Sequence, residues 1–200
     1  MTTCATDWSQ RYQSGDTPWD LGGPHPELAA RIAAGLAPAE RGTRRALVPG
    51  CGRGHDALAL AEAGWLVTAL DLVDPTAGEL GAKLARLGGE HRVGDALAHA
   101  ASRPYELFFE HTFFCAIDPS QRAQWGELVA RSLAPGGRLC ALLYPVGKVA
   151  SEGGPPFGVT LDDVLQVLPR TFRPRLDELV SHGIARRNWP ERWAELERTA

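Results

Sequence analysis

The stretch that decides the fold is "RRALVPGCGRGHDALALAEAGWLVTALDL", Arg44 to Leu72. A short apolar run leads into three glycines at alternate positions, Gly50, Gly52 and Gly54. An alanine-rich helical pattern, a second apolar run and Asp71 follow. Strand, tight turn, helix and strand in this order outline a nucleotide-binding βαβ unit. Its glycines let a ligand approach the backbone, and an acid about twenty residues on accepts hydrogen bonds from ribose hydroxyls. The competing readings are an ordinary tight turn for the glycines and a strand-end solvating carboxylate for Asp71.

The spacing of the glycines separates the candidate ligands. A dinucleotide loop of the form GxGxxG needs glycine at position 55, where His55 stands. GxGxG followed by an acid is the form used by S-adenosylmethionine (SAM) enzymes, whose ligand brings no pyrophosphate to the helix N-terminus. "VGDAL" puts Asp95 and Ala96 just after a third strand, where a carboxylate or the adjacent backbone meets an adenine edge; a helix cap is the alternative for Asp95. "LAPGGRLCALLYP" places a Pro-Gly-Gly turn before a fifth strand, a feature common in methyltransferases of this fold. A nicotinamide dinucleotide remains the minor reading.

Around this unit, apolar runs alternate with helical stretches from Ala46 to about Pro145, which predicts parallel strands with crossover helices. Strands are expected at 45–48, 66–70, 91–93, 105–109 and 138–144, with helices at 54–63, 76–87 and 119–133. Asp118 and Pro119 open the last helix, and "APGG" at 134–137 stops it. "PELAARIAAGLA" reads as one helix. A further helix at 160–168 and two strands, 171–180 and 183–188, complete the chain, the strands pairing as a hairpin around His182-Gly183. "RRNWPERWAELERTA" is amphipathic at best over Trp189 to Leu196 and would cap the sheet edge or form a dimer contact.

Two hundred residues make one domain of ordinary size, with 1–40 as an N-terminal arm and helix and 44–200 as an α/β core. The balance of 21 Lys+Arg against 24 Asp+Glu offers no polyanion-binding surface, so nucleic acid is not an expected partner. No basic-then-apolar leader and no apolar run of membrane-span length is present, and the expected location is cytoplasmic. Cys4, Cys51, Cys115 and Cys140 are widely separated, so neither a disulfide framework nor a metal site is expected. Cys115 reads as a buried packing thiol rather than a nucleophile.

The arm concentrates Trp8, Tyr12 and Trp19 within twelve residues. Unpacked aromatics would be a liability. They either pack the arm onto the core or form a lid whose faces attract a sulfonium cation, and the two readings are compatible.

"RYQSGDTPWDLGGPHPEL", "LVPGCGRGHDALALAEAG", "EHTFFCAIDPSQRAQW", "LAPGG" with "YP", and "GGPPFGV" occur in this order over some three quarters of the chain. Together they resemble the thiopurine S-methyltransferase superfamily, nearest its bacterial thiol methyltransferase branch and the plant halide/thiol methyltransferases. The resemblance implies a Rossmann-like class I methyltransferase fold, with a mostly parallel seven-stranded sheet, helices on both faces and an N-terminal helical lid. It implies SAM as cofactor and methyl transfer to a small-molecule thiol, hydrosulfide, thiocyanate or halide, in a monomer or homodimer.

Carried over by motif, the cofactor contacts fall on Trp8, Tyr12 and Trp19 in the lid and on Gly50, Cys51 and Gly52 in the loop. They continue at Asp71 and Leu72, at Asp95 and Ala96, and at Glu110 and His111. His111 departs from the tyrosine of the plant enzymes and the arginine of the thiopurine enzymes, and Tyr144 is implied to border the acceptor.

His111 and Tyr144 are thus the expected catalytic residues. Methyl transfer is an in-line displacement that needs alignment above all. A thiolate acceptor loses its charge in the reaction, which favours a desolvated, aromatic-lined pocket. His111 either takes the thiol proton or orients the cofactor carboxylate. Glu110 orients His111 or the cofactor amine, or solvates a helix entry. His25 reads as a loop residue, with a place beside the acceptor channel as the alternative. Arg122 reads as a salt bridge on its helix face. O- or N-methylation of a specialised metabolite, and a SAM-binding module without turnover, are the competing functions.

Overall fold

Strands with buried residues at successive positions form the centre of the sheet. The computed structural model describes residues 6–200. Strands β1 (Arg45–Pro49), β2 (Leu66–Asp71), β3 (Glu90–Val93), β4 (Tyr105–His111), β5 (Leu133–Leu143), β6 (Phe172–Leu179) and β7 (Arg192–Arg198) form one sheet. Its order is β3-β2-β1-β4-β5-β7-β6. The first five run parallel, and β7 is antiparallel to both β5 and β6. This is the mostly parallel, Rossmann-like seven-stranded sheet expected.

A strand covered on both faces must be apolar at successive positions rather than at alternate ones. In β4, Leu107 and Phe109 face one core with Val48, Trp65 and Trp193, while Phe108 faces another with Leu139 and Trp125. Helices α2 (Pro26–Arg31), α3 (His55–Glu62) and α4 (Glu79–Arg86) cover the first face through Leu28, Leu60, Leu80 and Leu84. Helices α5 (Arg122–Ser132) and α6 (Leu161–Val167) cover the second through Leu128, Val129 and Val164. Helix α1 (Trp8–Ser14) buries none of its residues.

Four expectations are corrected. Residues 183–188 form no strand; β6 pairs instead with β7, so the C-terminal segment lies inside the sheet between β5 and β6. Burial on both faces of β7 explains this: Trp193 enters the core on one face of the sheet and Ala194 and Leu196 the core on the other, while Glu195 and Glu197 are only partly buried. The Pro-Gly-Gly motif does not separate α5 from the next strand. Strand β5 starts at Leu133, and residues 134–137 sit in a register shift opposite Tyr105/Leu107. The helix expected over "PELAARIAAGLA" is α-helical only to Arg31 and continues as a π-helical turn, Ile32–Leu36, containing Gly35 at φ 110°.

All three loop glycines adopt the left-handed conformation, at φ 60°, 55° and 78° for Gly50, Gly52 and Gly54. At Gly54 an added Cβ would lie 2.3 Å from the Leu80 side chain, so the third glycine serves helix packing. Gly54→Ala combines left-handed strain with overpacking. It is expected to lower unfolding free energy by about 2–5 kcal/mol, measured by urea denaturation.

Candidate active site

In open α/β sheets the ligand crevice lies outside the carboxyl ends of the strands. Here the ends of β1, β2 and β4 bring together the residues that the sequence separates. A cleft is lined by Gly50, Cys51 and Gly52 from the glycine loop, by Trp19 and Asp20 from the arm, by His55 and Asp56 of α3, and by His111 and Thr112 after β4. Asp71 folds the loop: Oδ2 accepts from the Gly52 N–H at 2.7 Å and Oδ1 from Val73 at 3.1 Å. Burial raises its pKa, opposed by these N–H donors.

Beside it, Leu72 and Val93 are more than half exposed, and the backbone register sets Val93 opposite Asp71. Two apolar side chains therefore stand uncovered next to the carboxylate. Asp95 caps a short 3-10 turn, Ala96–Ala98, by accepting from Leu97 N–H at 2.9 Å. Ala96 is buried beneath it.

The arm reaches the same loop. An added Cβ at Gly52 would meet the Tyr12 hydroxyl at 3.0 Å. Tyr12 and Trp8 each meet Trp19 edge-on, at 5.7 and 5.4 Å between ring centroids. Asp20 ties the arm to the loop through Arg53 Nε at 2.8 Å. Burial raises the Tyr12 pKa, and nearby Asp71 adds to the rise, so its hydroxyl stays protonated.

Glu110 is placed differently from expectation. It is buried and contacts neither His111 nor the cleft: Oε1 accepts from Phe113 and Phe114 N–H at 2.8 and 2.9 Å, and Oε2 from Trp125 Nε1 at 3.1 Å. Burial pushes its carboxyl up to about 7 against these three donors. The carboxylate fixes a tight turn in which Thr112 sits at φ 63°, a conformation that a β-branched residue adopts only when its surroundings enforce it. The turn lays Phe113 against Gly50, where an added Cβ would lie 2.8 Å from the ring.

His111 leaves this turn in the middle of a buried polar ring. Its Nδ1 lies 2.7 Å from Asp56 Oδ2 and its Nε2 3.0 Å from Arg187 Nη2. Arg187 also pairs with Glu191, whose Oε1 lies 3.0 Å from His25 Nε2. The His25 backbone N–H closes the ring on Asp56 Oδ1 at 2.8 Å. Burial lowers the His111 pKa, Asp56 raises it, and Arg187 and His25 lower it further. Glu191 is held down at about 2 despite burial, by His25, the Ile184 N–H and Arg187.

His25 is therefore no loop decoration. It is fully buried, caps α2 by accepting from Glu27 N–H at 3.1 Å, and meets the His111 ring edge-on at 5.1 Å. Tyr144 stands at the same end of the sheet, with the Arg187 guanidinium 4.3 Å over its ring and Trp189 6.4 Å away edge-on.

Two bland readings divide. Cys115 is buried, donates to Thr112 O at 3.4 Å and has its thiol pushed up to about 12 by burial, as a packing thiol should. Among the described residues Arg122 has no salt-bridge partner on its helix face; it donates to Gly158 O at 2.8 Å and stacks 4.6 Å from the Phe114 ring centre. Cys4 lies outside the described residues. Asp56, Arg187 and Glu191 were missed by the sequence reading. Asp56 adjoins the glycine motif, whereas nothing local marks the other two. Glu110→Gln turns an amide donor toward Phe113/Phe114 or Trp125 and leaves a buried donor unpaired. A loss of about 1–3 kcal/mol, a fall of roughly 3–10 °C in Tm for a chain of this size, is expected by calorimetry.

The family model "Thiopurine S-methyltransferase (TPMT)" matches residues 3–187. "Probable thiol methyltransferase 2" of Arabidopsis thaliana is 33% identical over 165 residues, covering 80% of this chain and 70% of its own. "Thiocyanate methyltransferase 1" of Brassica oleracea is 32% identical over 203 residues, covering 94% and 84%. Among solved structures, the Burkholderia thailandensis 1,6-didemethyltoxoflavin-N1-methyltransferase, with 1,6-didemethyltoxoflavin and S-adenosylhomocysteine bound, has a TM-score of 0.74 at 19% identity over 97% of this chain and 86% of its own. The N-methyltransferase NodS of Bradyrhizobium japonicum, in complex with S-adenosylhomocysteine, has a TM-score of 0.71 at 17% identity over 96% of each. The two structures bear on the fold alone, while the family match and the plant relatives bear on descent: the chain belongs to the thiopurine S-methyltransferase family.

Proposed function

We propose that this enzyme transfers the methyl group of SAM to a thiol or another soft nucleophile, such as hydrosulfide, thiocyanate or a halide. The observation that carries the reading is the cleft in which the glycine loop and His111 face each other. The residues fit the cofactor. Asp71 uses one lone pair of each oxygen within the protein, leaving acceptors for ribose hydroxyls. Exposed Leu72 and Val93 offer apolar faces to an adenine, with Asp95 and Ala96 at its edge. Gly50, Cys51 and Gly52 let the methionine portion approach the backbone, and Trp8, Tyr12 and Trp19 close over it as a lid.

SAM supplies a methyl group on a sulfonium, a leaving group that needs no protonation. The chain's work is therefore to align the acceptor, exclude water and manage the acceptor's proton. Tyr144, Trp189 and the Arg187 guanidinium border the acceptor side of His111. A thiolate there meets one cation and aromatic walls, and the displacement consumes its charge. The competent nucleophile is the thiolate, and His111 is the group placed to accept a thiol proton.

Glu110 drops out of the cofactor set, since its oxygens are spent on the Phe113 turn and Trp125. The free thiols Cys51, Cys115 and Cys140 accord with a cytoplasmic location. Among the described residues no helix is long and apolar enough to cross a membrane. The whole chain acts as one catalytic domain on a small-molecule acceptor, as a monomer or homodimer and without nucleic acid.

The deciding experiment measures S-adenosylhomocysteine release with hydrosulfide, thiocyanate, iodide, aromatic thiols, and hydroxyl and amine acceptors. Turnover on the sulfur and halide acceptors is expected; turnover confined to oxygen or nitrogen acceptors overturns the proposal. Asp71→Asn is expected to weaken SAM binding about 10–100-fold by calorimetry, the weight of a hydrogen bond to a charged group.

A further inference from the structure

The polar ring around His111 dictates where its proton lies. Asp56 Oδ2 can only accept, so Nδ1, 2.7 Å away, carries the hydrogen. Arg187 Nη2 can only donate, so Nε2, 3.0 Å away, carries the lone pair. The neighbours on every packed element agree. His25 Nδ1 accepts the Glu27 N–H, so its own Nε2 carries a hydrogen and donates to Glu191. Both histidines are then neutral, and the ring holds two carboxylates, Asp56 and Glu191, against one guanidinium, Arg187. It is short by one positive charge, and the unprotonated nitrogen of His111 faces Arg187 and, beyond it, Tyr144.

We infer that Asp56 is the positioning residue of a proton-accepting pair: it fixes the His111 tautomer so that Nε2 takes the proton of a neutral thiol acceptor, with Arg187 moving from Nε2 to the nascent thiolate. The inference rests on the soft-nucleophile reading above. Arg187 holds the lone pair in the resting enzyme, stays tethered by Glu191 and stacked on Tyr144, and needs only to exchange partners. The S–H proton passes to Nε2. The sulfur pair then forms the new S–CH3 bond as the methyl–sulfonium bond breaks, its electron pair leaving on S-adenosylhomocysteine. Imidazolium, Asp56, Glu191 and Arg187 together are neutral, so the added proton removes the ring's imbalance. Water takes the proton after product leaves.

Two acceptor classes separate this role from a structural one. Thiocyanate has no proton to lose, whereas an alkyl thiol at pH 7 does. Asp56→Asn keeps an oxygen for the His25 N–H but turns an amide N–H toward Nδ1, which forces the hydrogen onto Nε2. Replacing an orienting carboxylate by its amide in this way leaves geometry intact and installs the wrong tautomer.

The expected result is a kcat/KM for an alkyl thiol that falls about 10²–10⁴-fold more than that for thiocyanate, the range ascribed to general-base catalysis. The difference should shrink as pH rises and the thiol ionises unaided, and Asp56→Glu should restore part of the thiol activity. Two-bond ¹H–¹⁵N spectra read the tautomer directly and without turnover: His111 is Nδ1–H in the parent and Nε2–H in Asp56→Asn. Equal losses with both acceptors, or an unchanged tautomer, overturn the inference while leaving the proposed function standing. Failure of the parent enzyme on every sulfur acceptor overturns the proposed function itself.

Discussion

The carboxylate of Asp56 is the point on which the site depends. One oxygen holds the His25 backbone ahead of α2, the other holds His111 at the end of β4, and the residue itself sits in the first turn of α3. A carboxylate is favoured at a helix N-terminus by the helix dipole, so the charge that fixes His111 is also at home in its own helix. Partners on both oxygens keep its pKa below the usual carboxylate range although burial works the other way. Buried charges persist only when paired and hydrogen-bonded. The Arg187–Glu191–His25 side of the ring meets that condition by joining His25 to Glu191, 166 residues away in sequence.

A second buried carboxylate performs the complementary task. Glu110 never reaches the cleft, yet its three N–H partners force the Thr112 turn. That turn sends His111 toward Asp56 and Phe113 over Gly50. The two acids divide the labour around His111, which Asp56 meets at 2.7 Å and Glu110 precedes in sequence: Asp56 sets the chemistry of the ring and Glu110 its position. Around them the cleft has few free anions, which suits a reaction in which a cation and an anion become two neutral thioethers.

Local pattern carried much of this architecture into view. Strands β1, β2, β3 and β4, the glycine turn and Asp71 were legible because each rests on contacts near in sequence: apolar runs, turn chemistry and an acid at a strand end. The early third glycine was read as a sign of ligand class, and the structure adds that Gly54 makes room for Leu80. What escaped was what depends on distant partners. Strand β7 looked like an amphipathic tail because its buried positions, Trp193, Ala194 and Leu196, are few and stand among charged residues. Its burial comes only from insertion between β5 and β6. Arg187 and Glu191 lie in an arginine-rich, Pro-interrupted stretch with no period at all. Of the ring, only Asp56 carried a local signal, a polar residue adjoining the glycine motif. His25 was read as a loop residue because nothing nearby in sequence announces Glu191 or His111.

The cleft directs a methyl group to sulfur. A direct test offers both kinds of acceptor in one molecule: 2-mercaptoethanol and cysteamine, each incubated with the enzyme and SAM carrying a ¹³C-methyl group, with products resolved by NMR. Transfer to sulfur puts the label on sulfur in both products. Label on the hydroxyl or amine, with the thiol left free, would contradict it.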